Sequence, residues 1–310
     1  MPIQEEILER VLNKKKALDQ LRPFNRGALL KLQESFRVSM TYNSNAIEGN
    51  SLTLSETKLV LEEGVTIGGK SLKEHLEVTN HAHAMDFLES LVAKKRIEGV
   101  DVLNLHAMIL DRIDPENAGL YRRTGVRITG TDYTPANAAK VPALMKDAYR
   151  MLNEKGGEPM EAAACIHQRV VDIHPFIDGN GRTARLLLNL YLMRNGYPPV
   201  ILLRAERKKY IRTIMNARDR NDVTEFANFV AKAVERSMDM YLDALGTEQK
   251  EYLTLAEAAN ISKHSYSQEY LSLLARTGKI GAIKSGRNWK ITKDALKEYE
   301  DAVSKNQVNR

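Results

Sequence analysis

The sequence predicts a mostly α-helical protein that carries one short β-hairpin and a winged helix-turn-helix domain at its C-terminal end. Leu, Ile, Val, Ala and Met recur at spacings of three and four residues through most of the chain, which is the period of a helix. Alternating β-branched residues occur only in short stretches. The 310 residues are enough for one large domain or for two to three smaller ones.

The first hundred residues read as successive helices, with a glycine-rich break at residues 66–70 before the fourth. The expected helices are Ile3 to Leu21, Arg26 to Glu48, Leu54 to Glu63 and Ser71 to about Lys95. Further along the chain, His106 and His167 are expected to pack or to face solvent. No cluster of cysteines or carboxylates accompanies them, so a metal site is not indicated.

The segment from Val126 to Tyr133 combines alternating and β-branched residues with a break at Gly130 and Thr131, which predicts a short hairpin. Two strands alone are only marginally stable. The edge of such an isolated hairpin would also be exposed, so that another strand could pair with it.

The segment from His174 to Arg185, HPFIDGNGRTAR, has the residues of a phosphate site. Its GNG turn, residues 179–181, can direct successive backbone N–H groups toward an anion. The apolar run that begins at Ala184 predicts a helix whose N-terminal dipole points to the same place. Arg182 and Arg185 share a face of its first turn, so together they can clamp a polyphosphate.

His174 precedes this turn and is a candidate general base near bound phosphate. Pro175 is expected to keep its backbone extended. Asp178 is placed to hold a magnesium ion, because one carboxylate plus phosphate oxygens is the usual arrangement for Mg²⁺ with a polyphosphate. Phe176 is expected to anchor the loop in the core.

Far upstream, Ser44 and Glu48 lie four residues apart and share one helix face. Gly49 is a natural C-cap that ends the helix directly after the glutamate. A carboxylate at a helix C-terminus faces the negative end of the dipole and loses stability there. The sequence therefore predicts that a group outside this helix compensates Glu48.

These residues resemble a known family. HPFIDGNGRTAR is similar, position for position, to the HPFx[D/E]GNGRxxR signature of Fic-domain proteins, most of which transfer AMP from ATP to a protein hydroxyl. Ala118 to Met145 resembles the flap region of that family, and Asn195 to Tyr210 resembles the segment downstream of its motif. The resemblance extends from about Ser35 to Leu242. It implies the Fic helical fold with a small β-hairpin flap, in the nucleotidyl-transferring form rather than the phosphate-transferring branch with a lysine in the motif.

The resemblance also implies a role for each position of the motif. His174 would deprotonate the target hydroxyl, which attacks the α-phosphorus and releases pyrophosphate. Asp178 would hold Mg²⁺ between the α- and β-phosphates, while Arg182 binds the β-phosphate and Arg185 the γ-phosphate. The backbone of the GNG turn would form the anion hole, and Asn180 would also reach the α-phosphate. The implied ATP- and phosphate-binding residues are Gly179, Asn180, Gly181, Arg182, Thr183, Arg185 and Tyr210.

The segment from Ser44 to Gly49, SNAIEG, resembles the (S/T)xxxE(G/N) pattern of the self-inhibitory helix of the family. The resemblance names Arg185 as the partner of Glu48. In this pair Glu48 would occupy the arginine that otherwise binds the γ-phosphate, and ATP would be held in a non-productive pose. Ser44 and Glu48 are therefore the expected inhibitory residues.

The predicted hairpin corresponds to the flap of the family, which docks a target peptide by strand addition. The expected docking residues are Val126, Arg127, Ile128, Thr129 and Gly130. Tyr210 aligns with a tyrosine that contacts the adenine, whereas the asparagine expected further on falls at or near Arg218, with Asn216 close by. Adenine is expected as the base, and another nucleotide stays open.

Residues 250–310 differ in composition from the rest, because the last sixty residues hold ten Lys and Arg against seven Asp and Glu. Tyr252 to Ile280 predicts a helix, a turn and a helix, and Ala282 to Thr292 predicts a β-wing with Gly286 at its tip and Trp289 as its anchor. The segment resembles the winged helix-turn-helix modules of excisionase and MerR-type proteins. The segment could bind DNA, or it could form a surface for interaction with a protein, and both functions stay open.

The predicted domains are an N-terminal helical region at residues 1–105 with the inhibitory helix at about 35–49, a catalytic core at 106–245, and a winged helix-turn-helix domain at 250–310. The single cysteine, Cys165, cannot form an internal disulfide. No segment reaches the roughly 18 apolar residues of a membrane span, and the N-terminus has no apolar signal region. We therefore expect a cytoplasmic protein with no membrane partner.

The expected function is that of a protein adenylyltransferase that modifies a target protein and itself, uses ATP as substrate and Mg²⁺ as cofactor, and is auto-inhibited by Glu48. Two alternatives stay open. One is a de-AMPylase in which Glu48 positions a water, and the other is a nucleotide-sensing DNA-binding regulator. Assembly into a homo-oligomer stays open as well.

Overall fold

Helices make up most of the protein in the computed structural model, which describes residues 3–22, 24, 26–128, 130–154, 156–245, 252–286 and 288–308. The α-helices among these residues are α1 Glu5–Gln20, α2 Arg26–Glu48, α3 Leu54–Glu63, α4 Leu72–Val92, α5 Gly99–Leu110, α6 Val141–Asn153, α7 Pro159–Ile173, α8 Asn180–Arg194, α9 Arg207–Arg220, α10 Thr224–Leu245, α11 Leu255–Ile261, α12 Gln268–Thr277 and α13 Lys293–Val308. The strands are β1 Tyr252–Thr254, β2 Ala282–Ser285 and β3 Asn288–Thr292. The predicted predominance of helix is confirmed. Of the helices in the described ranges, none has the length and apolar character that crossing a membrane requires.

Side-chain caps explain why several helices begin where they do. Thr53 and Glu56 form a capping box before α3, and Ser71 and Glu74 form another before α4. Gly64, in the left-handed conformation at φ 65°, ends α3. Because these signals are local in sequence, the first four helices begin and end close to their predicted bounds.

Contacts divide the chain into two units, residues 30–230 on the one hand and residues 3–29 with 231–310 on the other. In the first unit, α4 and α7 pack against α8. The apolar side chains of α8 are buried on all sides, and Ala184 and Leu187 are each 0% exposed. The polar residues Arg182, Arg185 and Asn189 of this helix are buried as well, so α8 lies inside the core. The N-terminus of α8, where the GNG turn becomes helix, is therefore fixed by the core of this unit.

In the second unit, the three strands form an antiparallel sheet in the order β1–β3–β2. Leu253 of β1 pairs with Ile291 of β3, and both are buried with Leu271 of α12. Gly286 makes the turn between β2 and β3 at φ 60°, and Trp289 is half-buried. The predicted pair of helices and the predicted hairpin are present, together with β1, which the sequence pattern does not predict.

Helix α1 lies in the second unit and is joined to α10 by partly buried ion pairs. Arg10 Nε lies 2.7 Å from Glu235 Oε1, and Lys14 Nζ lies 2.9 Å from Glu235 and 2.8 Å from Asp239. Arg10 also donates to the carbonyl of Gly278, just beyond α12, at 3.0 Å. Although burial opposes it, the charge of Lys14 and the bonds from Arg10 lower the pKa of Glu235 to about 2. These charged side chains therefore tie α1 to the C-terminal part of the chain.

The hairpin predicted for Val126 to Tyr133 is wrong for the described residues of that segment, which contain no strand; Thr129 lies outside the described residues. Tyr133 instead donates its hydroxyl to the carbonyl of Asp172 at 3.0 Å, and its ring lies 4.0 Å from the guanidinium carbon of Arg218. An isolated pair of strands is only marginally stable. Tyr133 thus contacts the end of α7 and α9, and the described residues of the segment form an irregular loop.

Candidate active site

The loop between α7 and α8 carries the predicted phosphate motif and begins with a residue in an uncommon conformation. His174 caps α7 in the left-handed region, at φ 50° and ψ 62°. The expectation that Pro175 keeps His174 extended is therefore wrong. The backbone N–H of His174 donates to Val170 O at 2.9 Å, so this residue closes the last helical turn in the manner of a C-cap glycine. A non-glycine residue there costs on the order of 1–3 kcal/mol and persists only when its surroundings impose it.

Arg122 imposes this conformation. Its side chain is buried, and its Nε donates to His174 O at 2.7 Å. Its backbone N–H donates to Pro175 O at 2.9 Å, and its Nη1 donates to Thr124 O at the same distance. Because charge-assisted hydrogen bonds from a buried arginine are strong, these contacts hold the start of the loop in one geometry. The sequence alone does not single out Arg122, since its neighbour Arg123 is of the same type and is exposed.

Ring stacking and one amide hold the rest of the loop. Phe176 is fully buried, as predicted, and stacks on His106 with ring centroids 3.6 Å apart. His106 accepts from Gly119 N through Nδ1 and donates to Asp178 O through Nε2, both at 3.0 Å. Burial lowers the pKa of His106 to about 4, so the ring is neutral, as this pattern requires. Asn180 uses both ends of its amide, at 2.9 Å, on the backbone of Phe176. His106 thus positions the motif in addition to packing.

A cavity of about 160 Å³ opens beside this loop and brings together residues from distant parts of the sequence. Its polar and glycine lining includes Glu48, Thr131, His174, Gly181, Arg185, Tyr210 and Arg218. Its apolar lining includes Val171, Ile211, Ile214 and Met215. Of the predicted flap residues, Ile128 and Gly130 line the cavity, whereas Val126 and Arg127 do not. A base and a cation that face one space are the arrangement that phosphate-group chemistry needs.

Glu48 and Arg185 form an ion pair at the edge of this cavity. Glu48 is the last residue of α2, and Gly49 follows it at φ 108°. Glu48 Oε1 lies 2.7 Å from Arg185 Nη2, with the arginine side chain 5% exposed and the glutamate side chain 41% exposed. Ser44 accepts twice from the same guanidinium, at Oγ from Nε (3.0 Å) and at its carbonyl from Nη2 (2.8 Å). The contact that the family resemblance implied is therefore present, while its inhibitory role stays a prediction.

Comparison with known proteins decides the family. Residues 97–192 match the sequence profile of the Fic/DOC family. The solved structure of Fic-1 (aa134–508) from C. elegans is 36% identical, with a TM-score of 0.70 over 77% of this chain and 72% of that chain. The chain belongs to the Fic family.

Two further relatives show how far the likeness extends. Protein adenylyltransferase Fic from Drosophila melanogaster is 38% identical over 244 residues, which are 77% of this chain and 49% of that protein. This chain therefore spans about half the length of the curated relatives that it matches. A Fic family protein from Desulfovibrio desulfuricans G20 shares the fold, with a TM-score of 0.66 over 94% of this chain and 97% of that chain, at 23% identity.

The other predicted residues of the Fic motif lie outside the cavity lining. The side chain of Arg182 is 2% exposed, and its Nη1 and Nη2 lie 3.5 Å from Glu77 Oε1 and from Asp178 Oδ2. Among the described residues, Arg182 Nε and Nη1 have no hydrogen-bond partner. Thr183 is fully buried, and Gly179 forms the left-handed N-cap of α8 at φ 76°. Their part in binding ATP stays a prediction.

Asp178 fits the magnesium site expected in this Fic motif. Its carboxylate stands at the N-terminus of α8 with the side chain half exposed, and its Oδ1 accepts from Gly179 N at 2.6 Å. Within the described ranges, no group of three or more His, Cys, Asp or Glu could hold a metal ion by itself. A single exposed carboxylate is the donor that suits Mg²⁺ shared with phosphate oxygens.

The hydrogen bond of the His174 ring is compatible with the predicted role as a general base. Its Nδ1 lies 3.3 Å from Val171 O, which the ring can reach only as an N–H donor, so Nε2 carries the lone pair. Burial lowers the pKa of His174 below its usual value. A neutral imidazole with an available Nε2 can take a proton from a hydroxyl in the cavity.

Arg218, at or near the position where the family resemblance predicts an asparagine, lines the cavity. Its Nε lies 2.6 Å from Asp172 Oδ1. Asn216 is outside the lining and donates to Glu225 Oε2 at 2.6 Å. The preference for adenine therefore stays a prediction.

Gly181 leaves the space that the Glu48 carboxylate occupies. A Cβ at position 181 would collide with Glu48 Oε1 and would lie 3.1 Å from Arg185 Nη1. The absence of a side chain at this position of the motif therefore permits the Glu48–Arg185 pair.

We expect Gly181→Ala to lower the free energy of unfolding by about 1 kcal/mol, because the added methyl group displaces Glu48 from Arg185. The loss should be smaller in the Glu48→Gly background, where the displaced carboxylate is absent. Chemical denaturation of the parent, both single variants and the double variant measures this coupling. Equal losses in the two backgrounds would show that the methyl group does not meet Glu48.

Proposed function

We propose that this chain is a protein adenylyltransferase that moves AMP from ATP to a hydroxyl side chain of a target protein, and that Glu48 restrains it. The observation that carries the proposal is the single cavity that His174, Gly181, Arg185 and Glu48 share. The name of the Drosophila melanogaster relative, protein adenylyltransferase Fic, supports the same activity.

In the proposed reaction, Nε2 of His174 takes the proton of the target hydroxyl, and the hydroxyl oxygen bonds to the α-phosphorus of ATP. The bond between the α-phosphorus and the oxygen that bridges to the β-phosphate breaks, and pyrophosphate leaves with that oxygen. Positioning and charge stabilisation supply most of the catalysis in such transfers. The N-terminus of α8 and Arg185 supply positive charge where the triphosphate lies. Arg182, whose Nε has no hydrogen-bond partner among the described residues, is the proposed ligand of the β-phosphate.

Asp178 is the residue that we propose for the magnesium ion, with phosphate oxygens completing the coordination. When bound, the ion would neutralise charge on the α- and β-phosphates. Asp178 is oriented for this by Gly179, which donates to its Oδ1, and its backbone carbonyl is held by His106.

The loop from Val126 to Gly130 is the proposed docking site for the target. Ile128 and Gly130 line the cavity that contains His174, so a peptide beside them would reach the base. The described residues of the loop form no strand of their own, and a target strand would pair with their backbone.

Labelling of a lysate tests this function. The Glu48→Gly protein is incubated with a lysate from cells that produce the chain and with α-labelled ATP, and the Glu48→Gly/His174→Ala protein serves as the matched control. Protein bands labelled by the first and not by the second identify the targets. No labelled band in either sample, including the added protein itself, would contradict the proposal.

Transfer should be lost in acid with a midpoint below pH 6.5. Burial lowers the pKa of His174 from the usual 6.5, so the neutral base is present above that lowered value and is protonated as the pH falls through it. The pH profile of kcat/KM for the Glu48→Gly protein measures this, because it reports the free enzyme. A midpoint above 6.5 would contradict the assignment.

We also propose that residues 250–310 form a winged helix-turn-helix domain that binds DNA, with α12 as its second helix and the β2–β3 hairpin as its wing. Lys263, Arg276 and Lys279 are exposed and can contact phosphates. On α12, Leu273 is 48% exposed, which suits the alternative of a protein surface.

Titration of duplex DNA at about 50 and 200 mM salt distinguishes these alternatives, because phosphate contacts weaken steeply over this range. Binding that weakens with salt supports DNA. Absence of binding at the lower salt concentration favours the protein surface.

A further inference from the structure

Arg185 is held from two sides. Its Nε and Nη2 donate to Ser44 and Glu48, which both belong to α2. Its Nη1 donates to the hydroxyl of Tyr210 on α9, at 3.3 Å. Tyr210 therefore holds this guanidinium from outside the predicted inhibitory helix. Its hydroxyl faces the arginine.

His167 in turn holds Tyr210. The Nε2 of His167, on α7, lies 2.8 Å from the Tyr210 hydroxyl, and the imidazole is 0% exposed. An arginine can only donate, so the tyrosine oxygen accepts from Arg185 and its own proton is free to go to His167. That bond needs a lone pair on Nε2. Burial, followed by the charge of Arg185, lowers the pKa of His167 to about 3 and keeps the ring neutral.

Packing makes this chain of contacts rigid. Phe226 lies 4.9 Å from the His167 ring and 6.1 Å from the Tyr210 ring, between centroids. Nδ1 of His167 has no hydrogen-bond partner among the described residues. A buried polar atom without a partner is costly, so a buried histidine here is not explained by packing alone.

We propose that His167 and Tyr210 are positioning residues that keep Arg185 directed into the cavity when Glu48 withdraws from it. The inference rests on the proposed function, because it takes Arg185 as the ligand of the γ-phosphate. Once Glu48 releases Nη2, the Tyr210 hydroxyl still fixes Nη1. The described residues offer Nη1 no other hydrogen-bond acceptor. The expected consequence is a preference for ATP over ADP that depends on the His167–Tyr210 bond.

Calorimetry on the full chain tests this in the Glu48→Gly background. The probes are the α,β-methylene analogues of ATP and ADP with Mg²⁺, since these analogues resist cleavage at the α-phosphorus. The measured quantity is the dissociation constant of the ADP analogue divided by that of the ATP analogue. Tyr210→Phe should reduce this ratio by about tenfold, which is the loss expected for a hydrogen bond to a charged group.

His167→Leu removes the acceptor and should reduce the ratio in the same direction, while His167→Gln offers an amide in its place and should retain most of it. Tyr191→Phe is the matched control, because this buried tyrosine donates to Glu154 O at 3.2 Å and does not line the cavity. It should leave the ratio unchanged. If His167→Leu does not fold, Tyr210→Phe alone decides.

Arg185→Ala separates failure of this inference from failure of the proposed function. A ratio that falls in Arg185→Ala but stays within twofold of the parent in Tyr210→Phe would overturn the positioning role and leave the arginine as the γ-phosphate ligand. An equal loss of affinity for both analogues in Tyr210→Phe would also overturn it, since a general structural effect does that. A ratio that Arg185→Ala leaves unchanged would overturn both proposals.

Discussion

The His174→Ala protein is expected to bind ATP with nearly the parental affinity and to transfer no detectable AMP. The imidazole acts on the attacking hydroxyl and not on the triphosphate, so its loss removes the base without removing a ligand of the nucleotide. A positioned general base contributes a factor on the order of 10² to 10⁴ in rate. Calorimetry with ATP beside a labelling assay measures both quantities.

A matched variant is needed because His174 stands in the left-handed region at φ 50°. Alanine is strained there, whereas asparagine adopts this conformation more readily. His174→Asn should therefore keep the thermal stability closer to the parent and lose transfer to the same extent. Transfer within a few fold of the parent in either variant would exclude His174 as the base.

The second large effect is expected from Glu48→Gly. The substitution removes a carboxylate that competes with the γ-phosphate for Arg185 and repels it, so the triphosphate can place its α-phosphorus in line for attack. Auto-modification should rise sharply. Stability should change by no more than about 1 kcal/mol, because the glutamate of this pair is 41% exposed and such pairs contribute little.

Glu63 offers a matched control for that substitution. It is the last residue of α3, is exposed and is followed by Gly64, so Glu63→Gly makes the same change at the same position of another helix. It should leave auto-modification at the parental level. The double variant Glu48→Gly/Arg185→Ala should lose most of the gain, since the activation depends on the freed arginine. A double variant as active as Glu48→Gly would show that activation does not pass through Arg185.

The sequence predicts those parts of the site that are encoded locally. The GNG turn and the helix after it follow from glycine freedom and apolar spacing, and α8 begins at Asn180. The end of α2 at Glu48 follows from Gly49 as its cap, and the odd position of the carboxylate predicts an outside partner, which is Arg185. The identity of that partner came from the family resemblance.

Contacts between distant residues are what the sequence does not predict. His106 and His167 are buried as packing histidines would be, yet each also orients a group at the site, Asp178 O in the first case and Tyr210 in the second. Nothing in their local spacing indicates this. Arg122 is the buried arginine, and not its neighbour Arg123, because Arg122 faces the carbonyls of the loop in the folded protein.

Two wrong predictions have the same physical origin. The rule for a residue before proline favours an extended His174, but the cap of α7 and the bond from Arg122 outweigh it. Alternating residues at 126–133 favour strands, but Tyr133 is held by Asp172 and Arg218 instead. In both cases tertiary contacts exceed a local preference of the chain.

The measurement that tests the central claim most directly compares two labels on one protein. Parent and Glu48→Gly proteins are incubated in parallel with α-labelled and with γ-labelled ATP, at matched ATP and magnesium, and the label on the protein is counted. A nucleotidyl-transfer site restrained by Glu48 predicts α-label on the Glu48→Gly protein, far less on the parent, and no γ-label on either. Incorporation of γ-label, or equal α-label on parent and Glu48→Gly, would contradict it.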